Sequence, residues 1–169
     1  EARLVWLTDG RLAASKFYRR GTATTRAGLN ELIALLASSS HPNVMRLLGV
    51  VNRDIYSGDL EYIVEFSPFG SLDNLLLDPN KVDARAAMLQ ESNCFASLAL
   101  GIASGLEHLH SRKLLHRDIS ARNVLINEQG HVLVADLGAA RFLEADGRYP
   151  FEGHDSKSTA PALRVRSFS

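Results

Sequence analysis

The fold of this chain is decided by one stretch, His116-Arg117-Asp118-Ile119-Ser120-Ala121-Arg122-Asn123, and by the tripeptide Asp136-Leu137-Gly138, which begins thirteen residues after that stretch ends. Two short apolar runs, 124–126 and 132–134, lie between these motifs. The polar residues 127–130 join the two runs and are typical of a hairpin turn. The sequence therefore predicts acidic and amide side chains at both ends of a buried β-hairpin.

The stretch 116–123 resembles the catalytic loop of protein kinases, H-R-D-L-x-x-x-N, with Ile in place of Leu. Asp136-Leu137-Gly138 resembles the kinase metal loop D-F-G, with Leu in place of Phe. Phosphoryl transfer depends on positioning and charge neutralisation more than on covalent chemistry. The resemblance implies that Asp118 orients the substrate hydroxyl and accepts its proton, and that Asn123 and Asp136 hold Mg²⁺ with oxygen ligands.

Two residues upstream match the nucleotide-binding part of the same family. Ala13-Ala14-Ser15-Lys16 resembles the strand motif V-A-I-K, and Glu31 follows Lys16 by fifteen residues within a predicted amphipathic helix, residues 25–38. The resemblance implies that Lys16 binds the α and β phosphates of ATP and pairs with Glu31. Lys16 alone could be an ordinary surface lysine, but the order of the five motif residues favours the kinase interpretation.

The segment Tyr62-Ile63-Val64-Glu65-Phe66-Ser67 resembles the hinge between kinase lobes, which binds the edge of adenine through its main chain. The resemblance implies that Val64 is the gatekeeper and that Glu65 and Ser67 contribute main-chain groups. It also implies that Ala14 and Leu125 contact the two faces of the purine. For Leu125, an ordinary core position in the hairpin is an equally good interpretation.

Two residues have regulatory roles in this comparison. Arg117 would pair with a phosphorylated residue of the activation loop through charge-assisted hydrogen bonds. Tyr149, thirteen residues beyond Asp136, stands where tyrosine kinases often carry an activating phosphorylation site. An unmodified loop tyrosine is the alternative. His116 is expected to pack and form hydrogen bonds without direct chemistry.

The class of substrate is inferred from the variable residues Ser120-Ala121-Arg122. Serine/threonine kinases generally have Lys at the position of Ser120, whereas Ala121-Arg122-Asn123 resembles the A-A-R-N ending of tyrosine kinase loops. We therefore predict transfer of the γ-phosphoryl group of ATP to protein tyrosine hydroxyls. A serine/threonine kinase and a non-catalytic nucleotide- or protein-binding remnant are the alternatives.

The implied fold is the α+β, two-lobed kinase architecture in partial form. Residues 1–66 would form an antiparallel sheet with one helix, and residues 67–136 would hold the hinge, a helical lobe with a long helix over 84–110, and the catalytic loop. Residues 137–169 would form the activation segment as a long surface loop.

The chain departs from the family pattern at both ends. It has no G-x-G-x-x-G loop, and Thr159-Ala160-Pro161-Ala162-Leu163 resembles the segment T-A-P-E-A-L without its Glu. The last helices of the large lobe are also missing. Apolar surface that those helices would cover stays exposed to water, which lowers the free energy of unfolding by roughly 25 cal/mol per Å². We therefore expect the isolated chain to fold poorly and to phosphorylate little.

The amino-acid composition limits the classes of molecule that this chain is expected to bind. The 169 residues contain 19 basic and 19 acidic residues, so the formal net charge is zero. We therefore expect no general electrostatic attraction to nucleic acid. The single Cys94 excludes an internal disulfide and is expected to be a buried thiol in a reducing compartment. No apolar run approaches the roughly 20 residues of a membrane span. We expect ATP and a protein substrate as partners, in the cytoplasm or the cytoplasmic part of a receptor, with the oligomeric state open.

Overall fold

An antiparallel four-stranded sheet forms the first part of the molecule. The computed structural model describes residues 2–38, 40–51, 58–84, 86 and 94–144. The strands of the sheet, in chain order, are β1 (Ala2–Trp6), β2 (Leu12–Tyr18), β3 (Leu47–Val51) and β4 (Leu60–Glu65). They lie in the order β1-β2-β4-β3. The turn at Thr8-Asp9-Gly10 joins β1 and β2 as the sequence predicts, with Gly10 at a positive φ of 81°.

One helix, α1 (Ala23–Ser38), covers a face of this sheet. Its buried residues include Glu31, Leu32 and Leu35, whereas Leu29, Ile33 and Leu36 are exposed. The helix was predicted correctly, but three of the five positions in its predicted apolar stripe face solvent. The face toward the sheet is selected by a buried carboxylate and by small residues that allow close approach, and apolar periodicity does not show either.

Among its described residues, the second part contains the two helices given next, further helical residues at 82–84 and 86, two short strand pairs and three single turns of 3₁₀ helix. The helices are α2 (Leu72–Leu77) and α3 (Cys94–Ser111). The strands are β5 (Leu114–Leu115), β6 (Val124–Ile126), β7 (Val132–Val134) and β8 (Arg141–Phe142). The 3₁₀ turns are Pro79–Lys81, Ala121–Asn123 and Leu137–Ala139.

The hairpin of β6 and β7 is confirmed, with Leu125 opposite Leu133. Of the long helix predicted over 84–110, the structure describes Cys94–Ser111 as one helix and residues 84 and 86 as helical, while residues 85 and 87–93 lie outside the described ranges. Cys94 is buried, as expected. Phe95, predicted as a core residue, is 67% exposed.

The residues just after the hairpin are more ordered than the surface loop predicted from 137 onward. They form the 3₁₀ turn and then β8, which pairs antiparallel with β5. Residues 145–169 lie outside the described ranges, so the activation-segment boundary stays a prediction.

One apolar core connects the two parts. Both parts contribute large buried side chains to this core. They include Leu32 and Leu35 of α1, Val44 and Met45 before β3, Tyr62 and Val64 of β4, and Leu109, Leu114, Val134 and Leu137 of the second part. Two main-chain hydrogen bonds follow the same seam, from Met45 N to Val134 O and from Val134 N to Asn43 O, each 2.9 Å long. Within the described ranges, none of the helices combines the length and the hydropathy needed to cross a bilayer.

Candidate active site

Lys16 and Glu31 form an ion pair between β2 and α1. The Lys16 Nζ atom lies 2.6 Å from Glu31 Oε1. The helix residue Glu31 is 1% exposed, and a buried carboxylate needs such partners to remain ionised. The structure therefore brings together the two upstream residues that the sequence paired.

The sequence did not predict two tyrosines at this pair. Tyr62 donates a 2.6 Å hydrogen bond from Oη to Glu31 Oε2, and Tyr18 donates a 3.2 Å bond to the same oxygen. Strand register is the signal that could have found them. Tyr62 is the β4 partner of Lys16, and Tyr18 lies two residues further along β2, so all three share one face.

The Asp118 carboxylate lies between two side chains of its own loop. Arg122 donates from one guanidinium nitrogen to both carboxylate oxygens, at 2.9 and 3.1 Å. Asn123 donates from Nδ2 to the Asp118 main-chain oxygen at 2.7 Å and to its Oδ2 at 3.0 Å. The hydrogen bond from Arg122 is the main cause that holds the pKa of Asp118 below its usual value, and Asn123 adds to it. Asp118 is therefore ionised at neutral pH.

The 3₁₀ turn Ala121–Asn123 explains how Asn123 reaches back to Asp118. The main-chain N–H of Asn123 donates to Ser120 O at 2.9 Å, and this hydrogen bond closes the turn. The sequence indicated Arg122 only as part of the family resemblance. In the structure its hydrogen bonds are the main influence on the Asp118 carboxylate.

His116 is a structural residue of this loop, as expected. Its ring is buried, with Nε2 donating to Ala135 O at 2.9 Å and Nδ1 accepting from Asp118 N at 3.2 Å. Arg117 is exposed and has a positive φ of 70°. A left-handed backbone is costly for a side-chain-bearing residue and occurs mostly at functional sites.

Asp136 has the same kind of backbone, with φ 58° and ψ 70°, and its side chain accepts from Gly138 N. Its carboxylate is exposed, whereas the next residue, Leu137, is completely buried in the core beside α1. The preceding main-chain group, Ala135 N, donates to Asn123 O at 2.9 Å. Asn123 and Asp136, the two predicted cation ligands, are thus linked through one main-chain hydrogen bond.

The hinge residues lie at the end of β4. Val64 is buried and is the register partner of Ala14, so the two side chains share a face. Ala14 and Leu125 are both partly buried against the same core. The Glu65 N–H donates to Arg46 O at 3.1 Å, and burial raises the pKa of the Glu65 side chain, although a hydrogen bond from Arg46 N opposes that shift.

The hydroxyl group of Ser67, in the predicted hinge, is a buried polar group without a hydrogen-bond partner among the described residues. The Ser67 carbonyl accepts from Gly70 N. Tyr149, the predicted phosphorylation site, lies outside the described ranges.

The family described as protein tyrosine and serine/threonine kinase has a sequence profile that matches residues 11–162. Fibroblast growth factor receptor 1 of Dugesia japonica is 36% identical over 107 residues, which are 62% of this chain and 12% of that protein. Tyrosine-protein kinase Abl of Drosophila melanogaster is 33% identical over 142 residues, which are 84% of this chain and 8% of that protein.

Mitogen-activated protein kinase kinase kinase 2 of Arabidopsis thaliana is 35% identical over 113 residues, which are 67% of this chain and 16% of that protein. The chain therefore spans between 8% and 16% of the length of these three relatives. The profile covers most of the sequence and includes every described motif residue named above. The chain belongs to the protein tyrosine and serine/threonine kinase family.

Proposed function

We propose that this chain carries the site of a kinase that binds ATP with Mg²⁺ and transfers the γ-phosphoryl group to tyrosine hydroxyls of proteins, with weak activity in the isolated chain. The observation that carries the proposal is the Asp118 carboxylate, held ionised by Arg122 and Asn123 at the surface of the catalytic loop. The O–P bond to the leaving ADP breaks as the substrate oxygen bonds to phosphorus, and the hydroxyl proton passes to Asp118.

The lowered pKa of Asp118 makes it a weak base but a good acceptor for a hydrogen bond. Its first role is therefore to orient the substrate hydroxyl, and proton transfer follows as the oxygen bonds to phosphorus. A loose transition state with little covalent demand fits such a weak base.

Lys16 is the proposed contact for the ATP phosphates. Its side chain is 24% exposed, and its ammonium group contacts Glu31. Ala14 and Leu125 are proposed to contact the purine faces. The main chain of Glu65 and Ser67, beside the gatekeeper Val64, is proposed to bind its edge.

Asn123 and Asp136 fit a hard cation. Asn123 uses its amide nitrogen for Asp118, which leaves its oxygen for a metal, and the Asp136 carboxylate is exposed. Oxygen ligands of this kind suit Mg²⁺, which would neutralise phosphate charge when bound.

Tyrosine specificity is favoured by Ser120-Ala121-Arg122 and by the Abl relative, whose name states that activity. The serine/threonine alternative is favoured by the description of the family, which covers both classes. The non-catalytic remnant remains a third proposal, since only phosphotransfer excludes it.

The test is phosphotransfer from radiolabelled ATP to matched peptides that differ only in Tyr, Ser or Thr at one position. We expect label on the Tyr peptide, with Mg²⁺ required, and its loss in Asp118→Asn. Asp9→Asn, which changes an exposed carboxylate in the β1–β2 turn, is the matched control. Label on Ser or Thr would select the alternative class. Binding of ATP without transfer would select the remnant.

The regulatory and cellular proposals have separate support. Arg117 is proposed to bind a phosphorylated activation-loop residue, with Tyr149 as the candidate, because its guanidinium belongs to an exposed residue. The cytoplasm, or the cytoplasmic part of a receptor, is proposed because ATP is available there and because one relative is named a receptor. The protein substrate is proposed as the other partner.

A further inference from the structure

The Glu31 carboxylate has more partners than the ion pair with Lys16 requires. Lys16 contacts Oε1 only, and its side chain reaches solvent. The Oε2 atom of Glu31 accepts hydrogen bonds from the hydroxyl groups of Tyr62 and Tyr18. A buried carboxylate oxygen without donors would be costly. The two hydroxyls therefore supply stabilisation that Lys16 cannot provide from its position.

The two tyrosine rings form a rigid unit behind Glu31. Their centroids are 5.9 Å apart with an angle of 19° between the ring planes, and their hydroxyl oxygens are 3.3 Å apart. Tyr62 is completely buried. Because the rings pack on each other, both hydroxyl groups lie beside the Glu31 carboxylate.

Gly28 allows α1 to approach these rings. It lies three residues before Glu31, on the same face of the helix. A Cβ atom at position 28 would lie 2.7 Å from three ring atoms of Tyr18. The helix therefore reaches the tyrosines only because position 28 has no side chain, which is independent evidence that this contact is specific.

The hydroxyl of Tyr62 stays protonated, and so remains a donor, at neutral pH and into the alkaline range. Burial, and then the negative charge of Glu31, raise the pKa of Tyr62 far above its ordinary value. A neutral donor to a carboxylate forms a charge-assisted hydrogen bond, which is stronger than a bond between neutral groups.

We propose that Tyr62, assisted by Tyr18, is a positioning residue that holds the Glu31 carboxylate, and with it α1, without help from Lys16. Lys16 is then able to turn toward the nucleotide while α1 stays in place. This catalytic consequence rests on the proposed function, whereas the anchoring of Glu31 does not.

The anchoring is tested by NMR of the whole chain labelled with ¹³Cζ-tyrosine, with Tyr62→Phe used to assign the resonance. In Lys16→Met, we expect the Tyr62 resonance to keep its wild-type position. In Glu31→Gln, which retains shape but removes the charge, we expect it to shift. A shift in Lys16→Met as large as that in Glu31→Gln would overturn the proposal, because the carboxylate would then depend on the lysine.

The catalytic consequence is tested by steady-state phosphotransfer. We expect Tyr62→Phe to lower kcat by on the order of tenfold with little change in the KM for ATP, because Lys16 loses its fixed partner while the purine contacts remain. Tyr18→Phe, which removes a longer hydrogen bond, should have a smaller effect. An unchanged kcat in Tyr62→Phe would refute the consequence. An inactive wild-type chain would instead refute the proposed function, and the NMR result would still decide the anchoring.

Discussion

At the scale of single residues, the motif positions were predictable because their chemistry restricts the residue type. Asp118, Asn123 and Asp136 were proposed as site residues from carboxylate and amide groups at fixed spacing, and these roles stay predictions. Tyr62 and Arg122 were not assigned a role, because neither residue type is required by the reaction. Their roles depend on which neighbour the folded chain places beside them, and that becomes known only with the register of β2 and β4 and the turn 121–123.

The Arg122 contact predicts a change in the pH dependence of activity. Arg122 lowers the pKa of Asp118, and the proposed reaction needs Asp118 ionised. In Arg122→Gln the pKa should rise toward its ordinary value, so the acidic limb of the kcat/KM profile should move to higher pH. Arg11→Gln, which removes an exposed arginine paired with Asp9, is the control and should leave that limb unchanged. An unmoved limb in Arg122→Gln would contradict the assignment of Asp118 as the base.

The raised pKa of Tyr62 predicts how the stability of the chain changes with pH in the alkaline range. Its pKa is raised in the folded state, so above the unfolded value of about 10 the folded chain binds more protons than the unfolded chain. This contribution to the free energy of unfolding is complete below pH 10 and declines as the pH rises further. Urea titrations at several pH values should show that decline in the wild type and a weaker one in Tyr62→Phe. Equal slopes would show that Tyr62 ionises freely.

At the scale of elements, hairpins were easier to predict than helix faces. The bounds of the strands 124–126 and 132–134 were predicted correctly, because polar turn residues separate two short apolar runs. For α1 the ends were nearly right, but Leu29, Ile33 and Leu36 turned out to be exposed. The buried face of a helix depends on its partner, and the partner here offers hydroxyl groups as well as apolar surface.

Gly28 is the element-scale test of that packing. Alanine normally stabilises a helix interior relative to glycine by about 1 kcal/mol. At position 28 the added Cβ would meet the Tyr18 ring, so we expect Gly28→Ala to lower the free energy of unfolding by about 1–3 kcal/mol. Chemical denaturation measures this difference. Gly49→Ala, where the space around the added Cβ is open, is the control and should change stability little. A more stable Gly28→Ala would mean that α1 does not approach the sheet this closely.

At the scale of the whole molecule, the core that joins the two parts was only partly visible in the sequence. The two-part organisation followed from the family resemblance, and the domain bounds remain predictions. The position of Leu137 in the shared core could not be derived, because Leu137 is one of several apolar residues in its segment and the sequence does not show which of them meet α1. Its burial depends on α1, which lies about 100 residues earlier in the chain.

Leu137 tests whether this core unites the molecule. Leu137→Ala should lower the free energy of unfolding by about 2–5 kcal/mol, as expected for truncation of a fully buried leucine. Fluorescence of the single Trp6 reports on the sheet, and far-ultraviolet circular dichroism reports on the helices. Both signals should shift together to lower urea. Leu77→Ala, at a position 79% exposed, should change neither midpoint. Separate midpoints for the two signals in Leu137→Ala would show that the parts unfold independently.

The seam at Val44 and Val134 also restricts how the molecule moves. The sheet is attached to the rest of the chain covalently after Glu65, and non-covalently where Met45 and Val134 exchange main-chain hydrogen bonds with their neighbours. The shared core, in which α1 packs on the turn at Leu137, is a further connection between the two parts. Connections at several places along the seam oppose both sliding and rotation of one part against the other. The amide protons of Met45 and Val134 lie within this seam, and we expect them to exchange with deuterium slowly.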